Sequence, residues 1–491
     1  MSQYLILVAI LLPIIGGVLV GLLPFKNRKQ MMVYVEAVVI ITSIIVWKVL
    51  LGGTTELFEI VHFVRGLSIS FKIDGMTLVF AGLVSVLWPL ATLYAFEYME
   101  HEHHEKIFFV FYTMTYGITL GIAFASDMLS MYFFYELLTL STVPLVMHTL
   151  KREAILATRR YLYYSLGGAA FALMGLIFII VYGNTAEFVL GGVLSAEKVA
   201  GHEALLLWIY LFAFLGFGVK AAIWPLSSWL PKAGVAPTPV TALLHAVAVV
   251  KAGVFAIIRL TYYSFGTDFL CGTWVQYVVM GLALFTILYG SSKAAKETHI
   301  KRRLAYSTVS NLSYVIFGAT IMTPLGLVGA LSHLVCHAVM KICSFLCAGA
   351  FMHQTGKSYV YEMDGMGKRM PVVFGCFTVA GMGLMGVPGL AGFISKWNLT
   401  EAAVESENVL AYVGIVVLLI SALLTAIYMM NITVRAFFPK QEFDYNTIAT
   451  VKDPGWKMKL PLIVCAIGVV LLGLFSTPLV NFFNDIAAGL Y

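Results

Sequence analysis

Charge is scarce in this chain. Asp, Glu, Lys and Arg supply 11% of its 491 residues, where a soluble domain carries about 25%. Hydrophobic residues supply 60%, and the mean hydropathy is +0.91. This excludes a soluble globular protein and points to a polytopic membrane protein, whose element length is set by the bilayer. The formal net charge of +6 needs no nucleic acid to explain it. Cysteine is scarce too. The six thiols (Cys271, Cys336, Cys343, Cys347, Cys376 and Cys465) form no CxxC. A disulfide framework or an iron–sulfur site wants tighter clusters near loops, so these read as small apolar packing residues. Nor is a secretory leader expected. Residues 4–23 are apolar, but no basic residue precedes them and no small-residue cleavage site follows. Lys26, Arg28 and Lys29 come after instead, which reads as a retained first span. Low-complexity linkers and a soluble domain are lacking as well.

What is present is a succession of apolar runs. They fall at about 4–23, 32–51, 75–95, 107–125, 128–149, 155–182, 204–230, 240–262, 273–290, 304–322, 325–352, 371–403, 408–437 and 459–482. The expectation is a single all-α membrane domain over 1–491 with about 14 transmembrane helices. Residues 60–73 alternate apolar and polar around Arg65-Gly66 and predict a short hairpin outside the bilayer. Loops after odd-numbered spans hold 22 of the 25 loop lysines and arginines, among them Lys151, Arg152, Lys232, Lys301, Arg302 and Arg303. Even-numbered loops hold Arg65, Lys72 and Lys198. By the positive-inside rule the basic side is cytoplasmic, which sets both termini on the outer side of the cell (inner) membrane.

Six basic residues lie within spans: Lys48, Lys220, Lys251, Arg259, Lys341 and Lys396. Lys48 and Arg259 stand near span ends, where snorkelling accounts for them. The other four are deep. A lysine at a helix centre costs roughly 2.5–3.5 kcal/mol on insertion scales, so a chain carries one where it has a partner, a watery cavity or a task. The deep acid is Glu136. Asp127 precedes it at the start of span 5 and reads as a helix cap.

The stretch Gly216–Arg259 concentrates the signal. It sets Lys220, His245 and Lys251 among apolar residues, broken by Pro225, Pro231, Pro237 and Pro239. Span 12 carries Lys396 just after Pro388, Gly389 and Gly392. Spans 7 and 12 are both long and interrupted. They lie an odd number of crossings apart, so they run in opposite directions. An interrupted, charged helix repeated in inverted topology is the mark of a transporter built from two inverted halves. Those halves are spans 4–8, about 107–262, and spans 9–13, about 273–437. They share hydropathy and break positions rather than residues.

Span 11 steps His333, His337 and Lys341 along one helix face at intervals of four. Three titratable groups in a row suit a proton relay. Two histidines at that spacing also suit zinc, but no carboxylate or cysteine on the face completes such a site, so no metal is expected. The His- and Glu-rich segment 97–106 reads as a solvated loop rather than a metal site. Glu136 and Lys220 form the natural ion pair. Together they favour their charged forms; apart, the lysine gives up its proton more readily.

The run PLSSWLPKAGVAPTPVTALLHA, the preceding GVKAAIWP, the YEL of span 5 and the HLVCHAVMK of span 11 resemble the antiporter-like membrane subunits of respiratory complex I (NADH-quinone oxidoreductase). That family includes the large subunits of Mrp cation/proton antiporters and of membrane-bound hydrogenases. The resemblance covers nearly the whole chain. It implies fourteen helices in two inverted five-helix repeats, with broken helices 7 and 12. It implies a proton-translocating file in which Glu136 pairs with Lys220, His245 or Lys251 continues the path, His333, His337 and Lys341 follow, and Lys396 ends it. It also implies membrane partners, including related antiporter-like subunits, and no cofactor of the chain's own. The length, without a long lateral helix, and the lysine of span 12 are similar to the D-type Mrp subunit and to equivalent hydrogenase or bacterial complex I subunits. The expected function is proton translocation within an ion-pumping redox or antiporter complex. The rivals are a self-sufficient sodium/proton antiporter and an inert scaffold for redox subunits.

Overall fold

The fold was obtained as a computed structural model that describes residues 2–53, 57–64, 67–440 and 443–490. The chain is a polytopic all-α membrane protein. Among the described residues, twelve helices are long and apolar enough to cross a membrane. The N-terminal set is α1 (Ser2–Leu22), α2 (Arg28–Leu51), α3 (Gly75–Tyr98), α4 (Glu105–Phe124), α5 (Met128–Val146) and α6 (Arg152–Tyr182). Then come α7 (Glu203–Lys220), a short α8 (Trp229–Ala233), α9 (Thr238–Ala246) and α10 (Val249–Ile258), which a π-helical turn extends to Phe265. The remainder is α11 (Trp274–Lys296), α12 (Ile300–Ile321), α13 (Pro324–Thr355), α14 (Pro371–Met385), α15 (Ala391–Glu405), α16 (Val409–Phe437), α17 (Trp456–Leu474) and α18 (Thr477–Ala487).

Two of the fourteen expected spans fall outside the twelve, for different reasons. Helix α12 is long enough, but Lys301, Arg302 and Arg303 at its start and Ser307, Thr308, Ser310, Asn311 and Ser313 along it make it too polar. The 371–403 run is split into α14 and α15, each of 15 residues. The final run also divides: α17 stops at Leu474, and Pro478 opens α18, where its missing N–H costs nothing.

The membrane core is organised around two elements. Every residue of the most apolar window in Thr238–Phe265 is buried, and 89% of that in Pro324–Thr355, against 39% in the first span. Helix α13 packs against α3, α9, α12, α14, α15, α17 and α18. A span that faces lipid must present apolar side chains to it; full burial frees α9, α10 and α13 to carry polar groups that face protein.

The hairpin expected over 60–73 is present as antiparallel strands β1 (Phe58–Val64) and β2 (Leu67–Phe71), while Arg65-Gly66 lies outside the described residues. Asp127 caps α5 as the sequence suggests, accepting from Ser130 N at 2.7 Å, and it also holds β2 through the Ser70 hydroxyl at 2.5 Å.

Three expectations need correction. Arg259 does not snorkel. It is 1% exposed and forks onto Asp74, the cap of α3, at 2.5 and 2.8 Å, among Phe188, Phe255 and Tyr263. Burial pushes the Asp74 carboxyl up, but the guanidinium outweighs this and holds it below its ordinary value. The acidic loop at 97–106 is not merely solvated: Glu105 pairs with Arg28 at 2.7 Å, and Glu97 accepts from the backbone of Gly455 and Met458 at the start of α17. The packing role expected of the cysteines fits five of them; Cys271 is exposed, beyond the π-helical turn.

Candidate functional site

The site begins where α7 ends. Pro225 cannot continue a helix, and Ala222 takes a left-handed φ of 57°. Broken backbone at membrane depth is tolerated only inside protein that satisfies it. Here the Tyr135 hydroxyl donates to the Phe217 carbonyl at 3.2 Å, and Trp229 Nε1 donates to the Val219 carbonyl at 2.8 Å. Lys220, the last residue of α7, is buried. Its Nζ donates to the Tyr135 carbonyl and lies 3.4 Å from the centre of the Tyr135 ring. Glu136 is the next residue along α5, yet it makes no ion pair with Lys220, and its buried Oε1 has no partner. The expected pair is thus adjacent in the fold but apart. Glu136 sits half-buried on the α5 face that also exposes Phe133 and Leu140.

Glycine brings the next helix close. A Cβ at Gly253 of α10 would meet Ala221 N at 2.4 Å and the Lys220 carbonyl carbon at 2.7 Å. Only a glycine permits that approach, and it sets Lys251, two residues earlier, beside the break. Span 8 is itself broken, at Val247 and Ala248, between His245 and Lys251. Neither residue is a glycine or a proline, so the sequence carries no local signal of this second break. His245 is buried against Phe345, and neither of its ring nitrogens has a partner.

Helix α13 gathers the rest. Lys251 Nζ donates to His337 Nδ1 at 2.8 Å. The His337 ring stacks on His333, with centroids 5.8 Å apart, and His333 stacks on Tyr314 at 5.0 Å. His333 spends both nitrogens, on Ser395 Oγ at 3.0 Å and on Asn311 Oδ1 at 3.3 Å. Lys341 donates to Ser307 Oγ at 2.6 Å, and Ser307 meets the Tyr428 hydroxyl at 2.6 Å. Lys396 closes the row. Helix α14 ends at Gly386 with φ 94°, and the freed carbonyls of Leu384 and Met385 each accept from Lys396 Nζ at 2.8 Å. The amine lies 5.5 Å from the Tyr314 ring.

All eight predicted residues thus fall along one zone running from α5 to α15. Lys251 and His337 touch, His337 stacks on His333, and Tyr314 lies between His333 and Lys396; Lys220 and Glu136 do not touch. Sequence reading missed Glu36, a second carboxylate two turns inside α2 whose buried Oε2 has no partner. An acid within the 32–51 run was the available signal.

Residues 125–425 match the model of the NADH:quinone oxidoreductase/Mrp antiporter membrane family, and residues 65–109 match that of the NADH-ubiquinone oxidoreductase (complex I) chain 5 N-terminus. The chain belongs to the NADH:quinone oxidoreductase/Mrp antiporter family. In this antiporter-family chain the first matched stretch contains all eight site residues. NADH-quinone oxidoreductase subunit N of Desulforudis audaxviator is 29% identical, with 81% of this chain and 80% of that protein covered. One Na(+)/H(+) antiporter subunit, from Alkalihalophilus pseudofirmus, is 28% identical over 86% of this chain and 54% of its own length. In fold, the family member overlays a chain of the Mrp complex from Dietzia sp. with a TM-score of 0.85, at 20% identity, over 100% of this chain and 97% of that one.

Proposed function

We propose that the chain is a proton-translocating subunit of a larger ion-pumping membrane complex. The observation that carries this reading is the row of buried amines and imidazoles, with the Lys251–His337 contact at 2.8 Å at its centre. Buried charge is expensive without carboxylate partners, so each amine is poised to exist with or without its proton. Lys220 accepts and releases a proton as Glu136 approaches or withdraws. The proton passes through Lys251 and the His337–His333 stack, and Lys396 delivers it. Lys341 flanks the row and sets its potential, and His245 stands beside it on α9 as a second titratable group. Glu136 borders an apolar α5 face, where a membrane partner reaches it and drives the switch. The relatives' names, from quinone oxidoreductases to antiporters, support a place among related membrane subunits.

The full reading has fourteen crossings in one membrane domain: α12 and the split pair α14 and α15 add the two spans that length and apolarity alone omit. The two repeats run from α4 through α10 and from α11 through α16. Lys220 and Lys396, each beside a break and each donating to backbone carbonyls, support their inverted relation. The basic loops face the cytoplasm and both termini face outward. The chain supplies no redox centre.

The test replaces Lys220 and Glu136 separately with alanine in the assembled complex. Each loses most proton pumping while assembly stays intact; near-normal pumping in both removes the pair from the mechanism. A second reading, an antiporter competent alone, draws on the relative named for sodium/proton antiport. Purified chain in sodium-loaded vesicles decides it: exchange without partners establishes this reading over the first.

A further inference from the structure

One buried amine stands outside the row. Lys301, in the first turn of α12, is 4% exposed. Its Nζ donates to the Ala236 carbonyl at 2.6 Å, in the turn between α8 and α9. The Thr241 hydroxyl lies 3.1 Å from that carbonyl and 3.0 Å from the Pro237 carbonyl, so its one proton is shared between the two acceptors. Lys301 also lines a cavity of about 350 Å³, together with Thr149, Lys151, Glu153, His299 and Arg302. Those residues come from the segments joining α5 to α6 and α11 to α12, which lie on the basic side of the protein. At about 30 Å³ per molecule the space holds roughly ten waters. Beyond Ala236 runs α9, and seven residues into it, about 10 Å along its axis, lies His245 with both nitrogens unpartnered. A buried amine therefore lines a cavity on one side and, on the other, stands at the start of the helix that carries an unpartnered imidazole.

We propose that Lys301 is the uptake site through which protons pass from this cavity to His245 and so into the buried row. The ammonium gives one proton to the imidazole, through water held between them. The neutral amine left behind takes one from hydronium in the cavity. An N–H bond of the ammonium breaks and one forms on the imidazole, the bridging water gaining one O–H and losing another; an O–H bond of hydronium then breaks as the amine regains its N–H, leaving water, and no electron moves. The inference rests on the proton-translocating reading above and adds the uptake side to it.

The test uses the assembled complex in sealed vesicles, with Lys301→Met, Lys301→Arg and Lys220→Met side by side. Loss of about tenfold or more in transport is expected for Lys301→Met. Lys301→Arg should lose as much, because a guanidinium still donates to Ala236 but does not release its proton. Wild-type transport in Lys301→Arg makes the residue a structural donor and overturns the proposal. Full transport in Lys301→Met alongside its loss in Lys220→Met overturns this inference alone; full transport in both overturns the parent reading with it. Should Lys301→Met fail to assemble, Thr149→Cys tests the cavity in folded protein. Labelling by a membrane-impermeant maleimide should slow transport, and complete labelling without effect overturns the route.

Discussion

Lys220 and Lys396 occupy the two ends of the same polar row, and their settings differ in burial, Lys220 being buried and Lys396 partly exposed, and in what adjoins the amine. Both amines stand at a helix break, and both donate to carbonyls of a neighbouring segment. Lys220 has Glu136 on the residue adjoining its acceptor, half-buried and with an oxygen unsatisfied. Lys396 has the carbonyls of Leu384 and Met385 and, among the described residues, no ion pair. Carbonyl dipoles are fixed by the backbone, whereas a carboxylate on a side chain moves. On the proposed mechanism, one end is switched and the other holds a steady affinity.

Breaking the comparison at its stronger end gives the largest effect. Lys220→Met removes the titratable group but keeps an apolar chain of similar length in the space. Transport should fall about a hundredfold or more, the usual scale for losing an acid–base group, with expression and assembly unchanged. Proton flux into vesicles measures it, and a loss under twofold would remove Lys220 from the row. Glu136→Gln sharpens the comparison instead, because it makes the Lys220 end resemble the Lys396 end, with dipoles alone around the amine. Flux should drop about tenfold, which corresponds to about 1.4 kcal/mol on the barrier. An unchanged rate would mean that the carboxylate is not what distinguishes the two ends.

The sequence displays this asymmetry only in part. Spans were legible because the bilayer demands long apolar runs, and the breaks at Pro225 and at Pro388–Gly389 because those residues disfavour a continued helix. The eight site residues stood out because charge at membrane depth is rare. Less visible was anything set by a distant partner. Arg259 lies near a span end, where snorkelling is the ordinary explanation, and its Asp74 partner is 185 residues away. Glu97 and Glu105 read as loop carboxylates until α17 and Arg28 are in place. The break at Val247 and Ala248 has no proline or glycine to announce it. That Glu136 and Lys220 stand apart depends on tertiary geometry that no spacing encodes.

The weaker end yields the smallest effect. Gly386 ends α14 in the left-handed region, at φ 94°, and a Cβ there would meet Lys396 Cδ at 3.1 Å. Gly386→Ala faces two costs. The backbone conformation is unfavourable for an L side chain, by roughly 1–2 kcal/mol, and the lysine stem must shift by a few tenths of an ångström. The carbonyls of Leu384 and Met385 then no longer converge on one position of the amine. Stability against heat in detergent should fall by about 1–2 kcal/mol, and flux should fall by less than in Glu136→Gln, because Lys396 keeps at least one acceptor. A melting temperature equal to that of the wild type would show that the turn tolerates a side chain. The cradle around Lys396 would then be held by the packing of α14 on α15, not by the glycine.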